Sequence, residues 1–387
     1  MQRPLLLLSA ACLAAGCALH RVERDPAPPV EPPPAFSATG EERAPERWWT
    51  AFGETDLDRL VEQALAANLE LRIAWARVRQ AEAIARQAGA ARWPQLDLQL
   101  AAARERRFFD IGIDEFNFTT NSFSASLAAG YELDLWDRVG STRAAAVLEA
   151  RAVDDDAQAA AITLSAAVAE SYFDLLRQRA LIDLLGRQAE LNRTWARLVE
   201  LRFREGLSPV LDVLQQRQQL EEIEAELEVA RGTLATVEQQ LAVLLGKAPG
   251  GLDLPAGDEL PMLPPLPDTG IPADLLERRP DLRAARSRVE ASDRRIVAAV
   301  SDRLPSIRLT GSIGYNATTL AELFDNLVWR IAGDLAAPLF DGGARAAEVD
   351  RARGAYDEAV AQYGQTLLEA ALEVENALAL EQAQRAY

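Results

Sequence analysis

The segment Asn121-Ser122-Phe123-Ser124-Ala125-Ser126-Leu127-Ala128-Ala129-Gly130-Tyr131-Glu132-Leu133-Asp134-Leu135-Trp136 alternates apolar and polar residues with a period of two. Successive side chains of a strand point to opposite faces, so this period predicts a strand with one apolar face and one polar face. Such strands are typical of membrane barrels, where one face meets lipid and the other meets water. Half-buried strands of a soluble sheet show the same alternation, and the choice between them depends on the rest of the chain.

Three further segments repeat the alternation, beginning at Gln95, Ile307 and Trp329. Together the four segments predict two β-hairpins, at residues 94–136 and 305–340. We predict that their polar residues line a water-filled lumen. These residues are Gln95, Asp97, Gln99, Ser122, Ser124, Ser126, Glu132, Asp134, Arg308, Thr310, Ser312, Arg330 and Asp334.

The first residues indicate export. Residues 1–16 combine a basic start at Arg3 with a short apolar run, which is typical of a secretory signal peptide. The run ends in Leu13-Ala14-Ala15-Gly16-Cys17, which resembles the lipobox of bacterial lipoproteins, although Ala14 stands where a larger aliphatic residue is usual. The resemblance implies acylation of Cys17 and, because Ala18 follows it, sorting to the outer membrane. A structural thiol is the alternative, but Cys12 lies in the segment to be removed. Residues 17–55 then form a lipid-anchored, Pro-rich tether.

Composition narrows the class of function. The 387 residues include 59 acidic residues against 41 basic ones, a net charge of −18, and we find no basic cluster suited to nucleic acid. One His and two Cys offer few soft metal ligands or general bases. We therefore expect no enzymatic activity, no metal, no cofactor and no nucleic-acid partner. No unbroken apolar run reaches the roughly 18 residues of a spanning helix, so we expect any membrane crossing to use strands.

Long helices flank the strands. Residues 141–204 contain no Pro, and their apolar line repeats every seven residues. Glu205-Gly206-Leu207-Ser208-Pro209 interrupts the helix, and residues 210–245 continue with heptads at Val213, Leu220, Leu227, Leu234 and Leu241. This pattern predicts two antiparallel helices packed as a coiled coil. An ordinary two-helix hairpin is the alternative.

The chain also contains an internal duplication. Helix, Pro and strand at residues 71–98 align with residues 282–309 at a constant offset of 211. We predict a first repeat at residues 56–250, a Pro-rich linker at 251–274, and a second repeat at 275–387 whose long helix covers 344–387. The second repeat is shorter than the first by about 70 residues. We expect the chain as given not to close a conducting tube and to be a fragment if its reading frame continues.

Four strands cannot close a barrel, and lipid does not tolerate an open sheet edge. We therefore expect oligomerisation, and three copies would supply about twelve strands. The predicted fold class is an α+β membrane protein, in which four strands per chain contribute to a β-barrel made by several copies and long α-helices form a helical tube.

Five segments of the chain form a pattern by their order and spacing. They are Trp48 to Gly53, Tyr131 to Trp136, Gly206 to Leu214, Arg278 to Ala285 and Pro338 to Gly343. In this pattern the chain resembles the TolC-like outer-membrane efflux factors, in particular the lipoprotein branch that serves RND-type pumps (OprM/NodT-like). The resemblance implies a trimeric outer-membrane β-barrel to which each chain contributes four strands, with the long helices in a periplasmic α-helical barrel. Gly342-Gly343 is on this interpretation a strand-to-helix turn and not a phosphate loop.

The resemblance implies a homotrimer that conducts drugs or other small solutes passively, docked to a periplasmic adaptor protein and an inner-membrane RND-type pump. It also implies contact with the adaptor at the first helical tip, which comprises Arg204, Glu205, Gly206, Leu207, Ser208 and Pro209. Charged gate residues of the family would lie in the second helix pair, and none is assigned here. Two alternatives stay open: an export duct for metal ions or proteins, and a non-conducting coiled-coil lipoprotein tether.

Overall fold

The computed structural model describes residues 20, 22, 26–43, 45–110, 115–250 and 260–386. The predicted signal peptide and the predicted anchor Cys17 lie outside the described residues. So does most of the first half of the predicted linker, from residue 251 to 259.

The described elements are seven α-helices and six strands. In chain order the strands are β1 (Glu42–Arg43), β2 (Gln95–Asp110), β3 (Glu115–Leu133), β4 (Pro267–Asp268), β5 (Ser306–Ala317) and β6 (Leu327–Ala336). The helices are α1 (Thr55–Ala67), α2 (Leu69–Ala90), α3 (Arg138–Arg204), α4 (Val210–Leu244), α5 (Leu275–Arg278), α6 (Pro280–Ser301) and α7 (Ala344–Ala386). Short 3₁₀ turns occupy Trp48–Phe52, Pro272–Asp274 and Leu320–Glu322.

The main sheet has the strand order β2-β3-β5-β6, and every neighbouring pair is antiparallel. Both predicted hairpins are therefore present and lie side by side. β2 and β6 form the two edges of this sheet. A separate two-stranded sheet pairs β1 with β4 in parallel.

Observed element bounds differ slightly from the predicted ones. The strand predicted to reach Trp136 ends at Leu133, and the helix predicted from Ser141 begins at Arg138. The second hairpin occupies residues 306–336 within the predicted 305–340, and α4 ends at Leu244. The shifts where each hairpin meets its following helix are explained by side chains that cap the helix starts, which are described with the site.

Contacts divide the chain into two compact units. The sheet unit comprises the described part of Met1–Glu31 with Val78–Asp154 and Asp281–Ala370. The tip unit comprises Pro32–Arg77, Asp155–Pro280 and the described part of Ala371–Tyr387. The boundaries of these units do not coincide with those of the predicted repeats. Three helices, α2, α3 and α7, each contribute residues to both units.

The tip unit has its own hydrophobic core. Trp49, Leu57 and Leu60 pack against residues of α3 that include Val168 and Tyr172. Leu241 of α4 completes this cluster. The Trp48 indole also donates a hydrogen bond to the Ser165 hydroxyl at 3.1 Å. The Trp-Trp segment therefore holds α1 against the long helices.

The antiparallel helix pair of the tip unit has the predicted heptad packing. All five predicted heptad positions of α4 are buried or half-buried: Val213, Leu220, Leu227, Leu234 and Leu241. Charged and polar side chains then join α3 to α4: Arg193 pairs with Glu224 at 2.7 Å, and Arg217 pairs with Glu200 at 2.6 Å. The two helices therefore run antiparallel, because residues late in α3 contact residues early in α4.

One helix of the described part, α3, contains an 18-residue window of mean hydropathy 1.3 with no more than two charged residues. A third of this window is buried in the chain, and α3 supplies Val168, Tyr172 and Leu176 to the core of the tip unit. Length and composition alone are therefore weak grounds for treating α3 as a membrane span.

Candidate channel wall and docking tip

The register of the main sheet gathers the apolar residues of all four strands on one face. Leu98, Leu127, Ile313 and Trp329 lie side by side, one from each strand, and paired residues of a ladder point to the same face. All four are exposed, from 42% for Leu127 to 71% for Trp329. A contiguous exposed apolar surface of this kind is typical of a face that contacts lipid or a partner.

The opposite face carries the polar residues. Asp97, Ser312 and Arg330 share one row of that face, and Glu132, Arg308 and Asp334 share another. The residues that the register brings together here are Gln95, Asp97, Gln99, Ser122, Ser124, Ser126, Glu132, Arg308, Thr310, Ser312, Arg330 and Asp334. Their exposure to a lumen stays a prediction, because it depends on closure of the sheet into a barrel.

The prediction for Asp134 is wrong in one respect, because this residue lies outside the strand. It was predicted as a lumen-facing strand residue, but it follows the last residue of β3. Its carboxylate accepts hydrogen bonds from the backbone N–H groups of Val139 at 3.0 Å and Gly140 at 2.7 Å. The first N–H groups of a helix lack partners within the helix, and a carboxylate there satisfies them. Asp134 therefore caps α3.

The second hairpin ends with a similar cap. The Asp341 carboxylate accepts hydrogen bonds from the N–H groups of Gly343 at 3.0 Å and Arg345 at 3.3 Å. These two backbone contacts, the one to Gly343 first, lower the pKa of the Asp341 carboxyl below its ordinary value. Gly342 and Gly343 both have positive φ, at 65° and 92°, so they form the turn into α7.

An ion pair reinforces the first junction. Arg138, the first residue of α3, donates two hydrogen bonds to Glu132 Oε1, and its Nη2 also lies 2.7 Å from Oε2. Both side chains are partly exposed, so this contact contributes modestly to stability. Its geometric effect is to fix the base of β3 against the start of α3.

The predicted docking tip is a closed turn between α3 and α4. Gly206 has φ of 73°, its N–H donates to Phe203 O at 3.0 Å, and the N–H of Leu207 donates to Arg202 O at 2.7 Å. This is the Schellman arrangement that ends many helices with glycine. Arg204 and Glu205 precede it and Ser208 and Pro209 follow it.

Apolar side chains surround the turn. Leu207 is 68% exposed, and Val210, Leu211 and Leu214 of α4 are also exposed. Phe203 is the last position of the apolar line that repeats every seven residues in α3, and it is exposed. The earlier positions of this line are buried or half-buried: Ala161, Val168, Leu175, Ile182, Ala189 and Ala196. The tip thus presents apolar surface that no described residue of the chain covers.

Several structural residues were missed by sequence reasoning. Neither cap was assigned, although an Asp shortly before a helix start is the signal that finds them. The Arg138–Glu132 pair was missed because its partners are six positions apart across a strand-to-helix turn. Within the described ranges, no group of three or more His, Cys, Asp or Glu residues could hold a metal ion.

The chain matches the family model described as "Outer membrane efflux protein" over residues 60–247 and 271–387. A curated relative, the pyoverdine export outer membrane protein OpmQ of Pseudomonas putida, is 32% identical over 370 residues, covering 91% of this chain and 78% of OpmQ.

Solved structures agree with this match. A membrane protein from Pseudomonas aeruginosa superposes with a TM-score of 0.88 at 30% identity, covering 96% of this chain and 85% of that one. A structure of CusC, reported in the context of transmembrane channel formation, superposes with a TM-score of 0.85 at 28% identity, covering 96% of this chain and 84% of that one. The predicted resemblance and the predicted combination of long helices with an antiparallel sheet are confirmed. The chain belongs to the outer membrane efflux protein family.

Proposed function

We propose that this outer membrane efflux protein is a passive conduit, built from three copies, that releases small solutes delivered by a periplasmic adaptor and an inner-membrane pump. Proteins of the family are channels, and they work with adaptors and pumps in tripartite systems. The number of copies, the lipid anchor and the contact surfaces are the parts that we infer.

The two-faced sheet is the observation that supports the proposal most strongly. Its apolar face suits lipid and its polar face suits water, while β2 and β6 leave unpaired backbone groups along both edges. In hydrocarbon each unsatisfied backbone group costs several kcal/mol. Pairing β6 of one copy with β2 of the next removes both edges, and the antiparallel order of the strands is kept. Three copies give twelve strands, enough to enclose water.

The polar face supports conduction without a chemical step. Glu132, Arg308 and Asp334 alternate in charge across three adjacent strands. Asp97 and Arg330 lie at the two ends of another row of the same face. Mixed charge of this kind is compatible with the passage of water and of polar solutes of either charge. We infer that the cargo is selected by the pump.

The helical tip supports docking of the adaptor. Leu207 and Leu211 are exposed beside a turn fixed by Gly206. Exposed apolar side chains on a rigid turn are suited to a protein partner, because little conformational entropy is lost on binding. We propose that the adaptor contacts residues 204–209 together with the first turn of α4.

We further propose that Cys17 carries the lipid that anchors the mature chain. The lipobox resemblance supports this, and so does the Pro-rich segment that follows it. Several acyl chains anchor stably, whereas one is marginal. The export of metal ions is the second candidate, because the cation efflux system protein CusC of Escherichia coli is 29% identical over 388 residues.

The proposal is tested in a host that lacks its own genes of this family. We expect the complete reading frame that contains this sequence, expressed with its cognate adaptor and pump, to lower ethidium accumulation. Its Leu207→Asp variant should lose this effect while remaining trimeric. Val229→Asp is the matched control, because Val229 is 70% exposed on α4 but distant in sequence from the tip. Native mass spectrometry of detergent-extracted protein reports the number of copies. Unchanged accumulation with the parent gene, or a purely monomeric protein, would contradict the proposal. A fall in the accumulation of a metal cation, with ethidium accumulation unchanged, would favour the second candidate.

A further inference from the structure

The apolar face of the main sheet changes its chemistry near the tip of the first hairpin. Ala102 and Phe123 form the last apolar row shared by β2 and β3. In the next two rows of the same face, Arg104 lies opposite Asn121 and Arg106 lies opposite Thr119. We call these four residues the arginine patch.

No other strand residue of this face is charged, among those whose side chains the structure describes. The face contains the even-numbered positions of β2 and the odd-numbered positions of the other three strands. Up to the row of Ala102 these positions are apolar side chains or glycine. Arg104 and Arg106 therefore mark a boundary in the surface and are not scattered surface charges.

The position of the boundary fits the thickness of a bilayer. Leu133 and Phe123 at the two ends of the apolar face of β3 are ten residue steps apart, or about 33 Å along the strand. With the usual tilt of barrel strands this corresponds to about 25 Å of height, which is the height of the apolar band of outer-membrane barrels. The arginine patch then begins where hydrocarbon ends.

Aromatic residues mark the same level. Phe123 lies in the last apolar row, and Tyr315 lies one row below it on β5. The Tyr315 ring meets the Phe324 ring edge to face, with centroids 5.4 Å apart. Girdles of aromatic residues flank the apolar band of membrane barrels, so these three rings indicate the boundary independently of the arginines.

The two guanidinium groups are available for a ligand. Arg104 and Arg106 are exposed, and among the carboxylates whose side chains the structure describes, none pairs with either one. Arg107 differs: it lies on the polar face and pairs with Glu105 at 2.9 Å. Near the end of this hairpin, Glu105 and Arg107 therefore neutralise each other on the polar face, whereas Arg104 and Arg106 lie on the opposite face.

We propose that the arginine patch binds the phosphate groups of a glycolipid headgroup in the outer leaflet, such as that of lipid A. The inference rests on the proposed function, since it requires the apolar face to contact lipid. Residues two apart on one strand face lie about 7 Å from each other, so both guanidinium groups reach one headgroup. Arginine binds phosphate with two parallel, charge-assisted hydrogen bonds, and Thr119 and Asn121 add further donors. The bound headgroup fixes the depth of the barrel in the membrane.

The test measures binding of lipid A by native mass spectrometry, using the full protein extracted from outer membranes in mild detergent. We expect bisphosphorylated lipid A to bind the parent protein. Its affinity for the double variant Arg104→Gln, Arg106→Gln should be lower by a factor of about ten or more, because two charge-assisted contacts are lost. Arg107→Gln is the matched control, and its binding should equal that of the parent. The variant Arg104→Lys, Arg106→Lys should retain part of the affinity, because it keeps the charge but not the bidentate geometry.

Equal binding of lipid A by the parent and the double Gln variant would overturn the inference. So would equal binding of dephosphorylated lipid A by the parent, since the proposal assigns recognition to the phosphates. Displacement of lipid A by millimolar inorganic phosphate would show a site for free phosphate and would also overturn it. The same spectra report trimer mass, so misfolded variants are recognised. If efflux and trimer formation are normal while the double Gln variant binds lipid A as well as the parent does, this inference alone fails and the proposed function stands.

Discussion

The indole Nε1 of Trp136 donates a hydrogen bond to the carbonyl oxygen of Pro305 at 2.7 Å. The hydroxyl of Ser301, the last residue of α6, donates in turn to the carbonyl oxygen of Trp136 at 2.6 Å. Trp136 follows the first hairpin, and Pro305 precedes the second. These two contacts therefore tie the end of one hairpin to the start of the other at the junction between strands and helices.

We expect Trp136→Phe to destabilise the sheet unit by about 1 to 2 kcal/mol, because the ring volume is largely kept while a half-buried carbonyl loses its donor. The midpoint of heat-induced unfolding in detergent measures this. Trp93→Phe is the control, since Trp93 lies just before β2 and is 74% exposed. Equal shifts for the two variants would mean that the Trp136 contact has no special role.

The two faces of the sheet should differ in their reactivity in whole cells. Cys at Ser124 or Asp334 should react with a membrane-impermeant thiol reagent that reaches the lumen, whereas Cys at Leu127 or Leu335 should be shielded by lipid. A charged residue at Leu127 should also cost about 2 to 4 kcal/mol near the membrane midplane. Uniform labelling of all four positions would indicate a sheet in water on both sides and would exclude a barrel wall.

Gly314 should resist enlargement for a reason of space. It is buried on the polar face, where a Cβ would overlap the Ala125 carbonyl oxygen and would lie 2.6 Å from the Ser126 Cα. We expect Gly314→Ala to weaken pairing of β3 with β5 and to reduce the yield of heat-resistant trimer. Gly130→Ala is the control on the same face, because no atom lies within 4 Å of its added Cβ. A normal yield for both variants would show that the sheet can adjust.

Lipid attachment should depend on Cys17. In cells supplied with labelled fatty acid we expect the parent protein to carry label and Cys17→Ser to carry none, because the acylated residue would be absent. The Cys12→Ser protein should stay labelled, because residue 12 lies in the predicted signal peptide and is absent from the mature chain. Undiminished label on Cys17→Ser would reject the lipoprotein assignment.

Tyr172 should remain protonated far into the alkaline range. Its side chain is buried, its hydroxyl donates to Glu54 at 3.3 Å, and burial followed by the negative charge of Glu54 raises its pKa from 10.0 to about 12. The folded pKa exceeds the unfolded one, so the stabilisation is complete below pH 10 and is lost as pH rises to about 12.

The absorbance of tyrosinate measures this shift. The difference in titration between the parent and Tyr172→Phe should show one phenol that ionises near pH 12. The stability of Tyr172→Phe should lack the corresponding loss between pH 10 and pH 12. A phenol that ionises at its ordinary pKa, with the protein still folded, would contradict the buried contact with Glu54.

Local pattern was sufficient to predict the strands, the long helices and the face assignments of individual residues. The period of two in Ser122 to Leu133 and the heptads from Val213 to Leu241 depend on neighbours within one element, so each can be recognised without knowing what packs beside it. The Gly206 turn is similar, because only glycine readily adopts the positive φ that ends α3 there.

The tertiary structure alone decided which rows of side chains meet. The sequence does not predict that Asp97 shares a row with Ser312 and Arg330. This row follows from the strand order β2-β3-β5-β6, which pairs segments distant in sequence. The pairing uses backbone hydrogen bonds, which do not depend on the identity of the side chains. It assigned Asp134 to a strand, since alternation continues past the point where unpaired helix N–H groups recruit that carboxylate. The position of Arg104 and Arg106 could not be predicted for the same reason. Their charges are evident in the sequence, but their location at the end of an apolar face follows only from the strand register. Sequence thus determined the elements and their two-sided chemistry, whereas pairing between strands and capping across junctions, which depend on long-range contacts, determined how those chemistries are assembled.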